Sequence, residues 1–546
     1  MRFCFPRKPA YDKEGIDLKK NRRTSSFFWL LFGFATFLFI LSNAESLGDT
    51  VSQLLDGEFW RLAPHRISEK AVTFIREYSF SFLWAYGIFI AGIIFLEERN
   101  PDRTIAWLLV LLLLPVVGFL VYFFFGPDLR ERENFRTLKK KRRKNRSGLP
   151  FLLPEITEPC AMLGEQTKKT AFLLAKSAKA RISVRNSVEM LVNGEATFMA
   201  IKDALRKATT YIHLEYYSIA NDIIGSEIRD ILLSKAQEGV SVRVIYDSVG
   251  SWKLGKKYID ALKRGGVLVH SFLSVSFPML RRDLNYRNHR KIIVVDGALG
   301  FVGGLNIGDS YIHGEPGLGI WRDTHLRIEG EAVACLDDIF AADWAFCDSK
   351  PLPAHTATSP LPDSATPLQI VSSGPDSNWR SILHGYFSMI VNAEESLWLC
   401  TPYLVPGKAL STALTTAAMS GIDVRVMIPH ATDHALVHWA SLSAVEELLR
   451  AGVKVYSYRK GFHHAKIMIA DNSAVSVGTA NFDARSLEIN FEVQAFIYER
   501  EIVRAFRREF VRDLDDCTQF RLHDWLRRPL RSRILEAAGR LSSSQL

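Results

Sequence analysis

Beyond about residue 160, this 546-residue chain repeats itself, and that repeat constrains the fold more than any other feature. Tyr211-Ile-His-Leu-Glu-Tyr-Tyr217 answers Ser396-Leu-Trp-Leu-Cys-Thr-Pro402, both short apolar runs suited to buried strands. Gly239-Val-Ser-Val-Arg-Val-Ile-Tyr246 answers Gly421-Ile-Asp-Val-Arg-Val-Met-Ile428. Leu262-Lys-Arg-Gly-Gly-Val-Leu-Val269 answers Leu449-Arg-Ala-Gly-Val-Lys-Val455, in each case a helix that ends at glycine and passes into a strand. Strand-like runs alternating with helical ones predict an α/β architecture. The copies are too long for solenoid units. We therefore expect two similar α/β domains, residues 151–347 and 368–546, in a pseudo-twofold pair. A Pro-, Ser-, Ala- and Thr-rich linker over 348–367 should join them. Such a pair brings equivalent strand ends together at its interface.

Each copy carries the same polar pattern. The first reads His289-Arg-Lys291-Ile-Ile-Val-Val-Asp296, followed after six residues by Gly303-Gly304-Leu-Asn306. The second reads His464-Ala-Lys466-Ile-Met-Ile-Ala-Asp471, followed after six by Gly478-Thr479-Ala-Asn481. Residues at i and i+2 on a strand share a face, so each half offers one imidazole beside one ammonium. A single buried histidine is commonly a satisfied core residue. Two with identical spacing at equivalent repeat positions point instead to one shared site. Glycines at a strand end let backbone approach a ligand, and an Asn there can hydrogen-bond it.

These residue types suit phosphoryl transfer. Two Lys and two Asn can hold the non-bridging oxygens of a phosphodiester, so Asn306 and Asn481 are candidate phosphate ligands beside Lys291 and Lys466. One imidazole can attack phosphorus while the other protonates the leaving alkoxide. No metal or other cofactor is required. Aligning the repeats places Trp321-Arg322-Asp323-Thr-His-Leu-Arg-Ile328 on Asn490-Phe491-Glu492-Val-Gln-Ala-Phe-Ile497. Asp323 and Glu492 share one repeat position and are the expected orienting acids of the two imidazoles. Asp296 and Asp471, counted with the catalytic set as members of the motif, come five residues past each Lys. Beyond the strand ends, they are expected to act as supports.

The first quarter of the chain differs in kind. Phe27 to Leu41, Phe80 to Leu96 and Ile105 to Phe125 are apolar; the latter two contain no charge and are separated by Glu97-Glu98-Arg99-Asn100-Pro101-Asp102-Arg103. About 20 residues cross a bilayer core, so residues 1–150 read as an anchor of two or three transmembrane helices. The net charge of +10 is concentrated around this anchor. Residues 1–23 hold eight Lys/Arg against three acids, and 130–146 hold ten against two, giving +5 and +8 and leaving about −3 for everything else. A soluble part without clustered cations is not built to wrap nucleic acid, whereas an anionic lipid surface fits. Both basic runs are expected on the cytoplasmic side, which an odd number of spans does not satisfy.

With these residues assembled, the chain resembles the phospholipase D superfamily, and more closely the bacterial cardiolipin synthases. The resemblance runs from about residue 79 to the C-terminus through Asn100-Pro-Asp-Arg-Thr-Ile-Ala-Trp-Leu-Leu109, Gly303-Gly-Leu-Asn-Ile-Gly308, Trp321-Arg-Asp-Thr-His325 and Ser486-Leu-Glu-Ile-Asn-Phe-Glu492. It implies two phospholipase D-type α/β/α domains behind a helical membrane anchor in the bacterial inner membrane. It also implies transfer of a phosphatidyl group between two phosphatidylglycerol molecules, releasing glycerol. By the same resemblance His289 is the nucleophile, and His464 the acid that then becomes the base. The extra apolar stretch at Phe27 to Leu41 departs from the usual two-span anchor. Transfer to water by a phospholipase, nuclease or other phosphodiesterase, and a membrane scaffold without activity, are the rival functions.

Two features stay outside this reading. His430, His434 and His438 are spaced to stack on one helix face, where they would line a headgroup entrance rather than bind metal. The Arg-rich run Phe520 to Leu541 is amphipathic and could lie on a membrane or pack on the second domain.

Overall fold

The two repeats fold into two sheets whose strand orders match. The computed structural model describes residues 163–273, 286–348, 352 and 361–542, with positions 92, 105 and 107–110. The chain divides into two compact units, Met1–Asp128 and Leu129–Leu546. In the first unit the described positions are all helical. The stretch Phe27 to Leu41, both basic runs and most of the other two apolar stretches lie outside the described residues, as does much of the linker. Among the described residues no helix is long and apolar enough to cross a membrane.

In the second unit, α1 (Glu165–Ser177) precedes the first repeat. That repeat runs β1 (Asn186–Val192), α2 (Asn193–Lys207), β2 (Tyr211–Tyr216), α3 (Ile223–Gln237), β3 (Ser241–Asp247), α4 (Lys256–Arg264), β4 (Leu268–Phe272), β5 (Lys291–Val295), β6 (Leu299–Gly303), β7 (Trp321–Arg322), β8 (Thr324–Gly330) and α5 (Glu331–Cys347). The second runs β9 (Leu368–Ser373), α6 (Ser381–Val391), β10 (Ser396–Cys400), β11 (Leu404–Val405), α7 (Lys408–Met419), β12 (Asp423–Pro429), α8 (Ala435–Arg450), β13 (Lys454–Tyr458), β14 (Phe462–His463), β15 (Ile467–Ala470), β16 (Ala474–Gly478), β17 (Phe482–Asp483), α9 (Ala484–Glu488), β18 (Glu492–Ile497) and α10 (Arg500–Asp515). β19 (Cys517–Gln519), α11 (Leu522–Leu526) and α12 (Leu530–Ser542) follow.

The first sheet has the order β1-β8-β6-β5-β2-β3-β4, the second β9-β18-β16-β15-β10-β12-β13 with β19 added at its edge. β2, β3 and β4 are parallel, as are β10, β12 and β13, while β5 and β15 run antiparallel beside them. The central strands are buried on both faces, which is why they read as unbroken apolar runs rather than alternating ones.

One face of each sheet is covered by its own helices, α2 to α4 in the first half and α6 to α8 in the second. The other faces meet each other. Ile292, Val294, Val302, Leu326 and Ile328 of the first half share a core with Ile467, Ile469, Val475, Val477 and Val493 of the second, with α5 and α10 alongside. This shared core holds the strand ends that carry the motif together.

Two expected boundaries shift. Helix α1, placed by the sequence in the first domain, packs on α6. Its Ala171, Leu174 and Ala175 lie in the second half's helix-side core, and Gln369 Nε2 donates to Ala171 O at 3.1 Å and Ala180 O at 2.9 Å. The chain crosses to the first half only at the Ser183 to Leu368 bridge. The end of the linker is likewise tied down, with Thr366 N donating to Asn186 O at 3.3 Å and Ser364 Oγ to the same carbonyl at 2.9 Å. Neither segment has a repeat equivalent, so the repeat could not assign it.

Candidate active site

Both histidines lie just before the first residue of a central strand, β5 or β15, and both are held by the opposite half. His289 N donates to Phe491 O at 2.9 Å, and Phe491 N donates to Arg287 O at 2.9 Å. The pseudo-symmetric pair is β14 running parallel to β7, with His464 N donating to Arg322 O at 2.7 Å. Each histidine segment is thus stitched to the segment bearing the other half's acid. The side chains follow: His289 Nδ1 lies 3.0 Å from Glu492 Oε2, and His464 Nδ1 lies 2.7 Å from Asp323 Oδ2. The repeat identified the two acids, but not that they are exchanged across the interface.

Both acids are fully buried. Burial alone would raise the Glu492 carboxyl, but His289 and Lys291, with a hydrogen bond from Thr479 Oγ1 at 2.5 Å, outweigh it and hold it below the ordinary value. Burial likewise works to raise Asp323, and Lys466 and His464 overcome it. Both are therefore ionised, so the proton between each carboxylate and its imidazole sits on Nδ1 and leaves Nε2 for chemistry. Lys466 Nζ also lies 2.9 Å from His464 Nδ1. It cannot donate to a nitrogen that already carries a proton, so we assign its hydrogen bond to His464 O. Lys291 Nζ donates to His289 O at 2.9 Å in the equivalent way.

The six groups interact as one set. His289 feels Lys466 as well as its own Lys291, His464 feels Lys291, and Lys291 feels both acids. Burial and the neighbouring ammonium of Lys466 push the His464 imidazole down to about 3, and burial also lowers His289. Burial brings Lys291 down to about 7 and Lys466 to about 8, despite the attraction of the acids. Without a bound anion, the site is a poor host for its own cations. A phosphodiester would supply the missing charge.

Asn306 and Asn481 stand at equivalent places past β6 and β16, and in each the Oδ1 atom is buried with no hydrogen-bond partner among the described residues. The paired glycines also acquire a reason. A Cβ on Gly304 would come within 2.2 Å of Asp323 Oδ1, whereas Thr479 at the equivalent position reaches the longer Glu492 with its hydroxyl.

The motif carboxylates do not join this set, which corrects their place among the catalytic residues. Asp296 and Asp471 sit in left-handed turns with φ of 53° and 52°, at the far ends of β5 and β15. Asp296 accepts from Thr209 N, Thr210 N and Tyr211 N at 2.7–2.8 Å, and Asp471 from Glu394 N, Glu395 N and Ser396 N at 2.8–3.1 Å. Burial pulls the Asp296 carboxyl up, but these amides hold it below its ordinary value. Each acid clips the start of β2 or β10 to the hairpin of its own strand. Three amides lose a charged acceptor in Asp471→Ala, so we expect unfolding free energy to fall by about 3–5 kcal/mol, read by denaturant melts. Asp471→Asn should recover part of that loss.

Several residues escaped the sequence reading. Tyr217 packs edge-on to His289 at 4.8 Å between centroids, and Tyr311 and Trp321 flank His464 at 6.2 and 5.0 Å. Under His289, Arg290 pairs with Asp343 and donates to Glu492 O at 3.2 Å, while Asn288 Nδ2 donates to Glu215 at 2.5 Å. Ala465 stands where Arg290 does, and Arg322 from the opposite half fills that role, bonding Asp513 at 2.9–3.0 Å. Of these, only the acids Glu215 and Asp343 carried a signal in the sequence, each a charge inside an apolar run. The stacked imidazoles do not form: α8 begins at Ala435, so His430 directly follows β12 instead and leans on Ser457 Oγ at 3.3 Å.

A family model described as cardiolipin synthase, PLD-like domain, matches residues 201–344 and 386–514, and one described as phospholipase D-nuclease N-terminal matches 82–127. A cardiolipin synthase of Halalkalibacterium halodurans is 44% identical over 465 residues, covering 84% of this chain and 92% of its own. One from a Geobacillus species is 43% identical over 463 residues, with the same two shares. The major cardiolipin synthase of Bacillus subtilis is 40% identical over 462 residues, covering 83% of this chain and 95% of its own. The crystal structure of a phosphatidylserine synthase from Haemophilus influenzae shares the fold, with a TM-score of 0.54 at 14% identity, over 69% of this chain and 100% of that one.

Proposed function

The chain belongs to the cardiolipin synthase family of phospholipase D-like proteins, and from that premise we propose how its crossed histidine centre performs the phosphatidyl transfer. The donor's phosphodiester lies between the two Nε2 atoms, its non-bridging oxygens held by Lys291, Lys466, Asn306 and Asn481. His289 Nε2 attacks phosphorus. The bond from phosphorus to the glycerol headgroup breaks, and the departing alkoxide takes a proton from His464, giving free glycerol and a phosphatidyl group on His289. The substrate's negative charge raises the affinity of His464 for that proton. A hydroxyl of a second phosphatidylglycerol then gives its proton to His464 and attacks phosphorus, which releases His289 and completes cardiolipin.

The observation that carries this reading is the exchange of acids, which fixes both imidazoles in one tautomer around one cationic pocket. Relatives that bear the name cardiolipin synthase, and the apolar runs of the first 150 residues, support an enzyme bound to a membrane and fed from it. The direct test incubates the purified full chain with phosphatidylglycerol micelles. Cardiolipin and glycerol should form in equal amounts. Phosphatidic acid without cardiolipin would mean that water is the acceptor and would end the synthase reading.

The cations also set a pH limit. Lys291 and Lys466 are lowered to about 7 and about 8, so the free enzyme loses its phosphate-holding charge as pH rises through that range. We expect kcat/KM for phosphatidylglycerol to decline above about pH 8. A profile flat to pH 10 would show that the ammonium groups do not hold the phosphate.

A further inference from the structure

Helix α12 covers only one of its faces. Arg528, stacked on the Trp525 ring at 3.4 Å, clamps Glu536 with two nitrogens and so ties the end of α11 to α12. The inner face of α12 lies on α8, where Gly539 is so close that a Cβ would come within 2.5 Å of Ala440 N. At about 100° per residue, Ser532, Leu535, Glu536 and Gly539 form this inner face. Leu530, Ile534, Ala537 and Leu541 fall on the opposite one. The three large side chains among them are 71%, 59% and 85% exposed, and Leu526 at the end of α11, four residues earlier in the chain, is 44% exposed. Arg531 borders one side of this strip, Arg533 and Arg540 the other, and Arg527 its start, all of them exposed.

An outward apolar strip roughly 17 Å long, bordered by guanidinium groups, has a definite complement. A bilayer surface takes the leucines into the acyl boundary while anionic headgroups meet the arginines. A second copy of the same face would set arginine rows against each other. The strip also lies past residue 514, where the match to the family domain ends. We propose that the outer face of α12, through Leu526, Leu530, Ile534 and Leu541 with Arg527, Arg531, Arg533 and Arg540, docks on an anionic phospholipid surface. This stands on the helix alone and does not depend on the reaction assigned above.

The test places photoreactive benzoylphenylalanine at position 534 of the full chain, reconstituted in vesicles of phosphatidylglycerol or of phosphatidylcholine. Lipid adducts are expected in the anionic vesicles. Changing any one of the four arginines to serine should reduce them by up to about fivefold, the attraction typical of one cation near such a surface. Adducts to protein, whether a second copy or another segment of this chain, would overturn the proposal, as would no adduct or equal yields in the two lipids. Hydrogen exchange of residues 530–541 in the unmodified full chain gives an independent reading. Slower exchange in anionic vesicles supports the contact, and exchange indifferent to lipid charge refutes it.

Discussion

The His289→Ala chain should lose cardiolipin formation by about 10⁴-fold or more, and phosphate label should never be trapped on the protein. The partner variant behaves differently. In His464→Gln the nucleophile is intact, but nothing protonates the departing alkoxide or deprotonates the acceptor. A phosphodiester with an activated leaving group, such as p-nitrophenol, needs no acid in the first step. With that substrate, His464→Gln should release one equivalent of the phenol and then stall, holding an acid-labile, base-stable label on the protein. Label accumulating in the His289 variant instead would exchange the two roles. The residues implicated in transfer are buried beneath the shared core, so circular dichroism and a thermal melt of each variant separate lost chemistry from lost folding.

That experiment addresses the part of the site that identical residue types leave open. The pairs His289 with Lys291 and His464 with Lys466 were legible because a spacing of two in extended chain is a local property, although both histidines lie just before the strands β5 and β15. Asp323 and Glu492 were legible because the repeat aligned them. Their exchange between halves was not, since a repeat specifies equivalence and says nothing about which copy a side chain reaches. The same limit hid the use of Arg322 from one half in the place that Arg290 holds in the other. Helix α1 was misassigned for a related reason: it lies outside the repeat, and its apolar face is satisfied by α6. The motif aspartates were legible as supports because they fall beyond the strand end. Their clipping of β2 and β10 required the fold. Amphipathicity predicted that the C-terminal run has two faces, and the structure identifies which of them α8 covers.

The exchange of acids leads to the second large effect. Glu492→Gln keeps the shape of the side chain and removes the charge that holds Nδ1–H of His289 and stabilises the imidazole as it bonds to phosphorus. A loss in kcat on the order of 10³-fold is expected, with KM little altered, because the change falls on the nucleophile rather than on phosphate binding. Asp323→Asn should cost a comparable factor through His464. Glu492 itself raises the His289 affinity for protons, so its removal lets burial act unopposed and moves the acidic limb of the pH profile to lower pH. Merely loosened packing would not shift that limb. The stability effect has a defined sign as well. Glu492 is held below its ordinary range when folded, so its charge favours the fold above that range, and the benefit is lost as pH falls through the folded value. The Gln variant should therefore melt earlier than the parent at pH 7 and approach it as the pH is lowered below the ordinary carboxylate range. Equal melting at neutral pH together with full activity would remove Glu492 from the site and, with it, the case for a centre assembled by trading acids between two halves.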